Sequence, residues 1–534
     1  MKLFLVRHGE SEGNVDRGFI AGRTDSRGLT VKGRVQITRT AWQLRKLHFD
    51  HLYCSPVARA VESAQILSRL LSVDYTKVPF LEEMSYGDYE GEYFWVNIEK
   101  KRADFHRWNT DMDFAFPNGE SLRMVSDRVW NGYQDWLAGH DRDKKVNILF
   151  VSHDVIISTL LFCLMYGHPD RDATTPSYRK AFVDFVHTIE VPNASVYEID
   201  LHASPLRFRL HEYKTPAVTP TVKSLQFYLG GIAGYTDVSL EEKVTASENM
   251  VYHVTNGADA IVKIIREREI VSSERIVLIY AYLESKTEID APHVLNYDKS
   301  RIFFRDTVLL QDYKPGEDLM QYFSRNTGCS KHLMDQAFTL LKQIHSIPLD
   351  DVAEYWYPED SWHKVHIPWR NFMADEVDFT ISQLAVVLPD RGIEMKVRRE
   401  LEILRRYVAS ESVKLVPLHG DFSPQNIVLT SDGKLRVLDF ERARIGDSLW
   451  DYGYFYGWLQ RKQPELAEYW DGLIRNTVSD EQFGFYRRFA ILFHAWTLRD
   501  VLEYKGNPIR AERAEVSRKI LLEWAGKTDR PEVE

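Results

Sequence analysis

Residues 2–14 read KLFLVRHGESEGN and establish the architecture of the first part of the chain. The apolar run at residues 2–6 stops at a polar loop, a pattern typical of a buried strand that ends at a site. The pattern returns at residues 146–154, where VNILFV is followed by SHD and an apolar helix. Strands that alternate with helices in this way indicate an α/β layered sheet with its site at the carboxyl ends of the strands.

A third junction of this kind lies between the other two. HLYC at residues 51–54 precedes SPVARAVESAQILSRLL, in which Ser55-Pro56 marks the start of a helix. Arg59 falls near that start, where backbone N–H groups favour anions. His8 and Arg7 could bind a phosphate in the same region, although an ordinary surface or core histidine is the alternative that the residues alone leave open.

Five segments in one order carry a specific resemblance: LVRHGESEGN, SPVARAVESAQ, EEMSYGDYEG, PNGESL and VSHD. Together they resemble the histidine phosphatase superfamily, the phosphoglycerate mutase-like enzymes, over residues 1–213. The resemblance implies a three-layer α/β domain that uses no cofactor. It implies that His8 is the nucleophile and that Glu83 donates a proton to the leaving oxygen. The residues expected to hold the phosphoryl oxygens are Arg7, Arg59 and His153.

The acid of this site must stay protonated, so Glu83 needs a raised pKa, which burial near Tyr86 would provide. Glu82 competes for the role, and the spacing of Glu83 to Tyr86-Gly87 favours Glu83. Asn14 either donates to phosphate or substrate or caps the following helix.

Asp154 stands where the family often has glycine. It is expected to orient His153, to contact a substrate hydroxyl or to cap a helix. Phosphatase is favoured over mutase, because the tail beyond Val151 is short and residues 92–116 show no mutase signature. The basic cluster Lys100–Arg102 is interpreted as a solvated helix face rather than a substrate lid.

A second motif, HGDFSPQN at residues 419–426, is followed by LDFE at 438–441. It offers one carboxylate for a hydroxyl acceptor, and an asparagine plus a second carboxylate as hard oxygen ligands for magnesium. The segment resembles the aminoglycoside phosphotransferase and choline kinase family, relatives of protein kinases, over about 224–520. The resemblance implies a bilobal, protein-kinase-like α+β domain that uses ATP and Mg²⁺.

Further roles follow from this second resemblance. Asp421 is the expected catalytic base, and Asn426 and Asp439 are the expected magnesium ligands. Lys263, in AIVKII, is expected to meet the ATP phosphates, after a nucleotide-loop strand at residues 249–252. Glu274 is the candidate ion-pair partner of Lys263, with Glu267 and Glu269 as alternatives.

Other residues of this region have a structural interpretation beside the functional one. Asp447 and Asp451 either stabilise the catalytic region or cap a helix. His494 and Asp500 could bind the acceptor, but a structural role is favoured. Five aromatic residues could form a cage for a quaternary amine, although helical spacing favours core packing: Tyr452, Tyr454, Phe455, Tyr456 and Trp458.

The linker between the two regions is TPAVTPTV at residues 215–222, whose prolines and small residues suit an exposed connector. The predicted division is a phosphatase domain at 1–213, a linker at 214–223 and a kinase domain at 224–534. Asn256-Gly257 predicts a hairpin in a small β-rich lobe ahead of a mostly helical lobe.

Composition limits the partners. The chain has 534 residues and a net charge of −10, which opposes nucleic acid or an anionic membrane as the main partner. Three unpaired cysteines and the lack of a signal-peptide core predict a cytoplasmic protein that acts on small molecules. The sequence predicts no oligomeric state.

Taken together, the motifs predict an enzyme that hydrolyses one phosphomonoester and phosphorylates a small sugar, polyol or amino alcohol. Sequential steps of one pathway are favoured, because unregulated opposition of the two activities would only hydrolyse ATP. The alternatives are opposing activities on one substrate, or one active domain beside a regulatory or binding module.

Overall fold

The structure is a computed structural model. It describes residues 1–141, 144–170, 176–203, 206–211, 217–236, 238–243, 250–255, 259–265, 273–326, 330–355, 369–410, 413–503 and 508–527. Its contacts divide the chain into two compact units: Met1–Glu241 with Val254–Ala258 and Asn296–Val308, and the remaining residues.

The first unit alternates strands and helices, as the sequence predicts. Its elements are β1 Lys2–Arg7, α1 Glu12–Val15, α2 Val31–Leu44, β2 His51–Cys54, α3 Ala58–Leu71, β3 Tyr75–Lys77, α4 Ile98–Trp108, α5 Leu122–Ala138, β4 Asn147–Ser152, α6 Asp154–Tyr166, α7 Pro176–Thr188, β5 Val196–Asp200, β6 Arg207–His211 and α8 Val222–Ile232. The strands form one sheet in the order β3-β2-β4-β1-β5-β6. Neighbours from β3 to β1 run parallel, and β5 and β6 are antiparallel.

Strand β1 shows why this unit has three layers. Leu3 and Leu5 enter one hydrophobic core, and Phe4 and Val6 enter the other. Because successive side chains of a strand point to opposite faces, β1 is buried on both sides. Residues of α2 and α3 fill one core and residues of α5 and α6 fill the other, which confirms the predicted α/β layering.

Helix α8 packs on α2 and α3. The rings of Trp42 and Phe227 are 5.0 Å apart, and Arg69 donates to the Gly231 carbonyl at 3.4 Å. The first compact unit therefore extends beyond the predicted boundary at residue 213, up to Glu241. The domain limits themselves stay a prediction, and residues 212–216 of the predicted linker lie outside the described ranges.

The rest of the chain begins with a β-rich part and continues as mostly helix. Its elements are β7 Ser239–Lys243, β8 Met250–Thr255, β9 Ala260–Ile265, α9 Ser273–Lys286, β10 Val294–Asp298, β11 Thr307–Asp312, β12 Gly316–Asp318, α10 Leu319–Arg325, α11 Lys331–His345, α12 Leu349–Tyr355, α13 Trp369–Val387, α14 Arg391–Val408, β13 Leu415–Leu418, β14 Ile427–Thr430, β15 Leu435–Val437, β16 Arg444–Asp447, α15 Ser448–Lys462, α16 Pro464–Arg475, α17 Asp480–Glu503 and α18 Pro508–Lys527.

A five-stranded sheet in the order β10-β11-β9-β8-β7 forms the β-rich part. It is followed by two small sheets, β12-β14-β15 and β13-β16, set among the helices. This is the bilobal α+β architecture that the sequence predicts. The predicted hairpin turn at Asn256-Gly257 lies outside the described residues. In the described ranges, every helix is too short or too polar to cross a membrane.

The basic cluster on α4 differs from its predicted interpretation. Lys101 is buried, and its ammonium donates to Glu92 at 2.7 Å and to the Tyr93 carbonyl at 2.8 Å. Lys100 and Arg102 are exposed. The expected solvated face is therefore wrong for Lys101, because a local carboxylate and a carbonyl replace its water.

Candidate active sites

Three neighbouring strands deliver the first group of site residues. His8 follows β1, His153 follows β4, and Arg59 lies in the first turn of α3, just after β2. Since β2, β4 and β1 are parallel neighbours, their carboxyl ends meet at one edge of the sheet. The strand pairing therefore brings together residues that are up to 145 positions apart in the sequence.

The His8 ring is held so that its Nε2 atom carries the lone pair that can react. Its Nδ1 lies 2.7 Å from the Gly9 carbonyl, so Nδ1 carries the proton and Nε2 carries the lone pair. Nε2 accepts a hydrogen bond from Arg59 Nε at 3.2 Å. Burial, together with the charges of Arg59 and Arg7, lowers the pKa of His8 well below its ordinary value. The ring is thus a neutral imidazole at pH 7, which is the nucleophilic form.

His153 lies beside it, with the two ring centroids 5.0 Å apart. The Ser55 hydroxyl lies 2.8 Å from His153 Nε2 and fixes the ring, while Nδ1 is buried without a hydrogen-bond partner in the described part of the chain. An unpaired polar atom in an otherwise dry site is available to a ligand oxygen. Ser55 is therefore a positioning residue. It belongs to the SPVARAVESAQ motif, but the sequence pattern alone did not identify this role.

Glu83 faces both groups. Its Oε2 lies 3.7 Å from His153 Nδ1 and 3.8 Å from Arg59 Nη2. Burial raises the pKa of Glu83 even though Arg59 acts against the shift, and this is the direction that an acid catalyst needs. Tyr86, stacked on Phe105 with ring centroids 6.0 Å apart, belongs to the aromatic wall on this side.

Glu82 is directed elsewhere. Its carboxylate pairs with Arg23 at 3.2 Å, and the same arginine donates to Glu120 at 2.7 Å. Arg128 also binds Glu120, at 2.9 Å, and donates to the Glu82 carbonyl. Arg23, Arg128 and Glu120 therefore hold the backbone of Glu82 and Glu83. Of these two candidate acids, Glu83 is the one that faces the histidines.

Asp154 forms an ion pair with Arg7, at 3.1 Å from Nη1. Arg7 also donates to the Val191 carbonyl, and its Nε is buried without a partner among the described residues. This ion pair is not one of the expected uses of Asp154. Asp154 is the first residue of α6, and His153 occupies the N-cap position. Asn14 accepts from the Ser11 backbone N–H at 3.1 Å, so it caps α1.

The second group of site residues gathers around the HGDFSPQN loop, between β13 and β14. Asp451 accepts hydrogen bonds from the backbone N–H groups of His419 and Gly420, both at 2.9 Å. Its Oδ2 also lies 3.1 Å from His345 Nε2. Asp451, fully buried in α15, thus holds the loop that carries Asp421. Asp447 instead caps α15 through the Leu449 N–H at 3.0 Å.

Gly420 allows a tight approach within this loop. Its φ is +81°, and a Cβ there would lie 2.0 Å from the Arg442 carbonyl oxygen. The positive φ and the clash with this oxygen therefore both exclude a side chain at residue 420. The close approach brings the Arg442 segment against the loop, and the charge of Arg442 opposes the rise that burial causes in the pKa of Asp421.

Lys263 of β9 forms an ion pair with Asp439, with Nζ 3.0 Å from Oδ1. Burial opposes ionisation of Asp439, but the adjacent ammonium holds the pKa of this carboxyl below its ordinary value. Glu274, the predicted partner, lies in the first turn of α9, and the ion pair that the structure shows for Lys263 is the one with Asp439. Glu267 and Glu269 lie outside the described residues.

Asn426 and Asp439 are the predicted magnesium ligands, and that role stays a prediction. The Asn426 amide nitrogen donates to the Asp421 carbonyl at 2.9 Å, which leaves its carbonyl oxygen for a cation. One amide oxygen and one carboxylate are a sparse set, typical of Mg²⁺ that arrives with nucleotide phosphates. The described residues contain no preformed cluster of three or more acidic, histidine or cysteine ligands.

The aromatic cluster of α15 is part of the core. All five of its members are less than 9% exposed: Tyr452, Tyr454, Phe455, Tyr456 and Trp458. His494 is bound at both ring nitrogens, to Ser517 at 3.1 Å and Gln460 at 3.0 Å. These contacts agree with the structural interpretation of both features.

Family comparisons agree with both groups. Residues 3–212 match the model of the histidine phosphatase superfamily (branch 1), and residues 244–478 match the model of the phosphotransferase enzyme family. The chain is a histidine phosphatase joined to a phosphotransferase. The N-terminal part is thus a phosphatase-type enzyme domain, and the C-terminal part is a kinase-type one.

Curated relatives resemble the histidine phosphatase part. "Putative phosphoserine phosphatase 2" of Hydrogenobacter thermophilus is 34% identical over 167 residues, 31% of this chain and 79% of the relative. Adenosylcobalamin/alpha-ribazole phosphatase of Escherichia coli is 30% identical, covering 32% and 81%. The 2,3-bisphosphoglycerate-dependent phosphoglycerate mutase of Bartonella henselae is 33% identical, covering 30% and 80%. Relatives of both reaction types therefore match.

Proposed function

We propose that this fusion protein hydrolyses a phosphomonoester through a phosphohistidine and phosphorylates a hydroxyl of a small sugar, polyol or amino alcohol with ATP and Mg²⁺. The two reactions would be successive steps of one pathway. The observation that carries the proposal is that each site keeps a full set of reacting groups. His8 and Glu83 face each other across Arg59 in one site, and Asp421 stands with the Lys263–Asp439 pair in the other.

In the phosphatase site, His8 Nε2 attacks phosphorus and the bond from phosphorus to the substrate oxygen breaks. Glu83 gives its proton to that oxygen, and the alcohol leaves. Water then attacks the phosphohistidine, Glu83 takes a proton from it, and cleavage of the N–P bond releases inorganic phosphate. Arg59, Arg7 and His153 stabilise the charge on the phosphoryl oxygens throughout.

Water is the proposed acceptor in this site rather than a second phosphoglycerate-like molecule. The mutase relatives share the phosphohistidine step, so relatedness alone does not choose between the reactions. The choice rests on residues 92–116, which carry no mutase signature and instead contribute α4 and its aromatic residues to the wall beside Tyr86.

In the phosphotransferase site, Asp421 accepts the proton of the acceptor hydroxyl as its oxygen bonds to the γ-phosphorus of ATP. The bond from that phosphorus to the ADP oxygen breaks, and ADP leaves. Magnesium, held by Asn426 and Asp439, would neutralise phosphate charge. With Asp439 holding the metal, Lys263 would bind the ATP phosphates in place of its ion pair with Asp439.

The test is a screen of small hydroxylated metabolites with ATP and Mg²⁺, using wild type, His8→Ala and Asp421→Ala in parallel. Phosphate release and product mass are followed. Sequential action predicts that wild type yields a product phosphorylated at a new position. If His8→Ala instead accumulates a product that wild type converts back to the starting compound, the two activities oppose each other on one substrate. Activity that survives both substitutions contradicts the proposed sites.

A further inference from the structure

Two arginines near the phosphotransferase site have no carboxylate partner. Arg461, at the end of α15, is 9% exposed, and its Nε and Nη1 have no hydrogen-bond partner in the described residues. Its Nη2 donates to the Thr497 hydroxyl at 2.7 Å. Arg513, in α18, likewise makes no ion pair within 4.0 Å among the described residues. Arg513 is half-buried, whereas Arg461 is buried with two N–H donors unsatisfied. Buried donors without an acceptor are costly, so this arrangement points to an anionic ligand.

Both guanidinium groups contact one aromatic ring. Arg461 lies 4.7 Å and Arg513 4.8 Å from the centroid of the same Trp458 ring. Burial and the charge of Arg513 lower the pKa of Arg461 to about 9, although Tyr454 opposes the shift. Two cations that share one aromatic ring repel each other, and an anion bound by both would remove that repulsion.

The pair also adjoins the catalytic loop. Arg513 Nη2 donates to the Gln425 side-chain carbonyl at 3.3 Å, and Gln425 is the neighbour of the expected metal ligand Asn426. Nearby carboxylates are already engaged: Asp500 pairs with Arg510 at 3.4 Å and Glu512 with Lys462 at 3.0 Å. The positive charge of the two arginines therefore faces the side of the catalytic loop, residues 419–426, that carries Asp421.

We propose that Arg461 and Arg513 bind an anionic group, phosphate or carboxylate, of the alcohol that the phosphotransferase site phosphorylates; this inference rests on the proposed function. The substrate is then an alcohol with an oxyanion at its other end. In the reaction, the hydroxyl proton passes to Asp421, the γ-phosphoryl group passes from ATP to the hydroxyl oxygen, and the anionic group stays unchanged. A quaternary amine is excluded at this place, because the arginines already occupy the Trp458 ring.

The test uses full-length His8→Ala protein, so that the phosphatase does not hydrolyse a phosphorylated acceptor. Glycerol, glycerol 3-phosphate, glycerate and serinol are offered with ATP and Mg²⁺, and the product mass and the KM are measured. Each set is repeated with Arg513→Gln, Arg461→Lys and the matched control Arg518→Gln, whose guanidinium pairs with Glu515 on the exposed side of the same helix.

We expect kcat/KM for the anionic acceptors, glycerol 3-phosphate and glycerate, to be at least about tenfold higher than for glycerol and serinol. Arg513→Gln should raise the KM for the anionic acceptor at least about tenfold and leave the KM for ATP unchanged. Comparison of glycerol 3-phosphate with glycerate shows whether the site binds a phosphate or a carboxylate group. Preference for glycerol or serinol, or an equal loss for all four acceptors, would overturn the inference.

Calorimetric titration of the same proteins with glycerol 3-phosphate separates this inference from the proposed function. A binding component that Arg513→Gln removes and Arg518→Gln keeps supports the anion site even if ATP is never consumed, in which case the kinase activity itself is wrong. Loss of Arg513-dependent binding with retained Asp421-dependent phosphorylation of neutral alcohols refutes the anion site alone.

Discussion

The reacting groups of the phosphatase site and of the phosphotransferase site lie in opposite electrostatic settings. In the phosphatase site, buried histidines stand among cations, and burial raises the pKa of the Glu83 carboxyl group. In the phosphotransferase site, the expected base and one expected metal ligand are carboxylates, Asp421 and Asp439, and Lys263 is paired with Asp439. A nucleophile that forms a covalent intermediate must be neutral and free, whereas direct transfer from ATP needs a base and places for cations. The charge pattern therefore distinguishes the two reactions even before a substrate is known.

The largest expected effect comes from removing either reacting group. His8→Ala should lower phosphatase kcat by about 10⁴-fold or more, because it removes the ring nitrogen that takes the phosphoryl group in the proposed reaction. Phosphotransferase activity should stay within about twofold of wild type. Release of phosphate from p-nitrophenyl phosphate and ATP consumption with an acceptor are measured on the same preparation.

The converse substitution sharpens the comparison. Asp421→Asn should lower acceptor phosphorylation by about 10²- to 10⁴-fold, because the amide cannot take the hydroxyl proton. Hydrolysis of p-nitrophenyl phosphate serves as the control and should be unchanged. A fall in both activities would mean that the sites do not function independently.

Glu83→Gln tests the protonated carboxyl group. The loss should reach about 10²-fold or more for an alkyl phosphate and be much smaller for p-nitrophenyl phosphate, whose leaving group needs no proton. In wild type, hydrolysis of the alkyl phosphate should fall as the pH rises through the raised pKa of Glu83, since the acid form is lost there. Glu82→Gln is the matched control and should leave both rates near wild type.

How far the sequence predicts these sites depends on the range of the contacts. The apolar runs at residues 2–6 and 146–151 predict β1 and β4 within one residue at each end, because strands buried on both faces leave an unbroken apolar signal. The partner of Lys263 could not be predicted in this way. The sequence suggests nearby Glu274, whereas the fold supplies Asp439, 176 positions away.

Helix α8 shows the same limit. The proline-rich stretch before it predicts a connector, and local composition carries no sign that Phe227 packs on Trp42 in the first compact unit. Lys101 is a second case, since a basic cluster on a helix predicts exposure unless a carboxylate such as Glu92 is known to lie against it.

A stability measurement probes the support of the phosphotransferase loop. Asp451→Ala should lower the free energy of unfolding of the phosphotransferase part by about 3 kcal/mol, because it leaves two buried backbone N–H groups and His345 without their acceptor. Urea unfolding followed by tryptophan fluorescence measures it. Asp432→Ala, at an exposed turn, is the control and should change stability by less than about 0.5 kcal/mol.

The smallest expected effect concerns Asp154. Its ion pair with Arg7 is partly exposed, and such pairs contribute about 0–1 kcal/mol. Asp154→Asn should free Arg7 for phosphate and lower the KM of the phosphatase by about two- to fivefold, with kcat nearly unchanged. An increase in KM would show that Asp154 contacts the substrate directly.

The double burial of β1 has a consequence for how the phosphatase fails. Every residue from Lys2 to Val6 is paired in register with β4 on one side and with β5 on the other, and the nucleophile follows one residue beyond Arg7. The strand cannot fray or slip without dismantling both cores, so no partly loosened form keeps an aligned imidazole. On heating, phosphatase activity should vanish in the same transition as the fold, which makes hydrolysis a direct reporter of the intact domain.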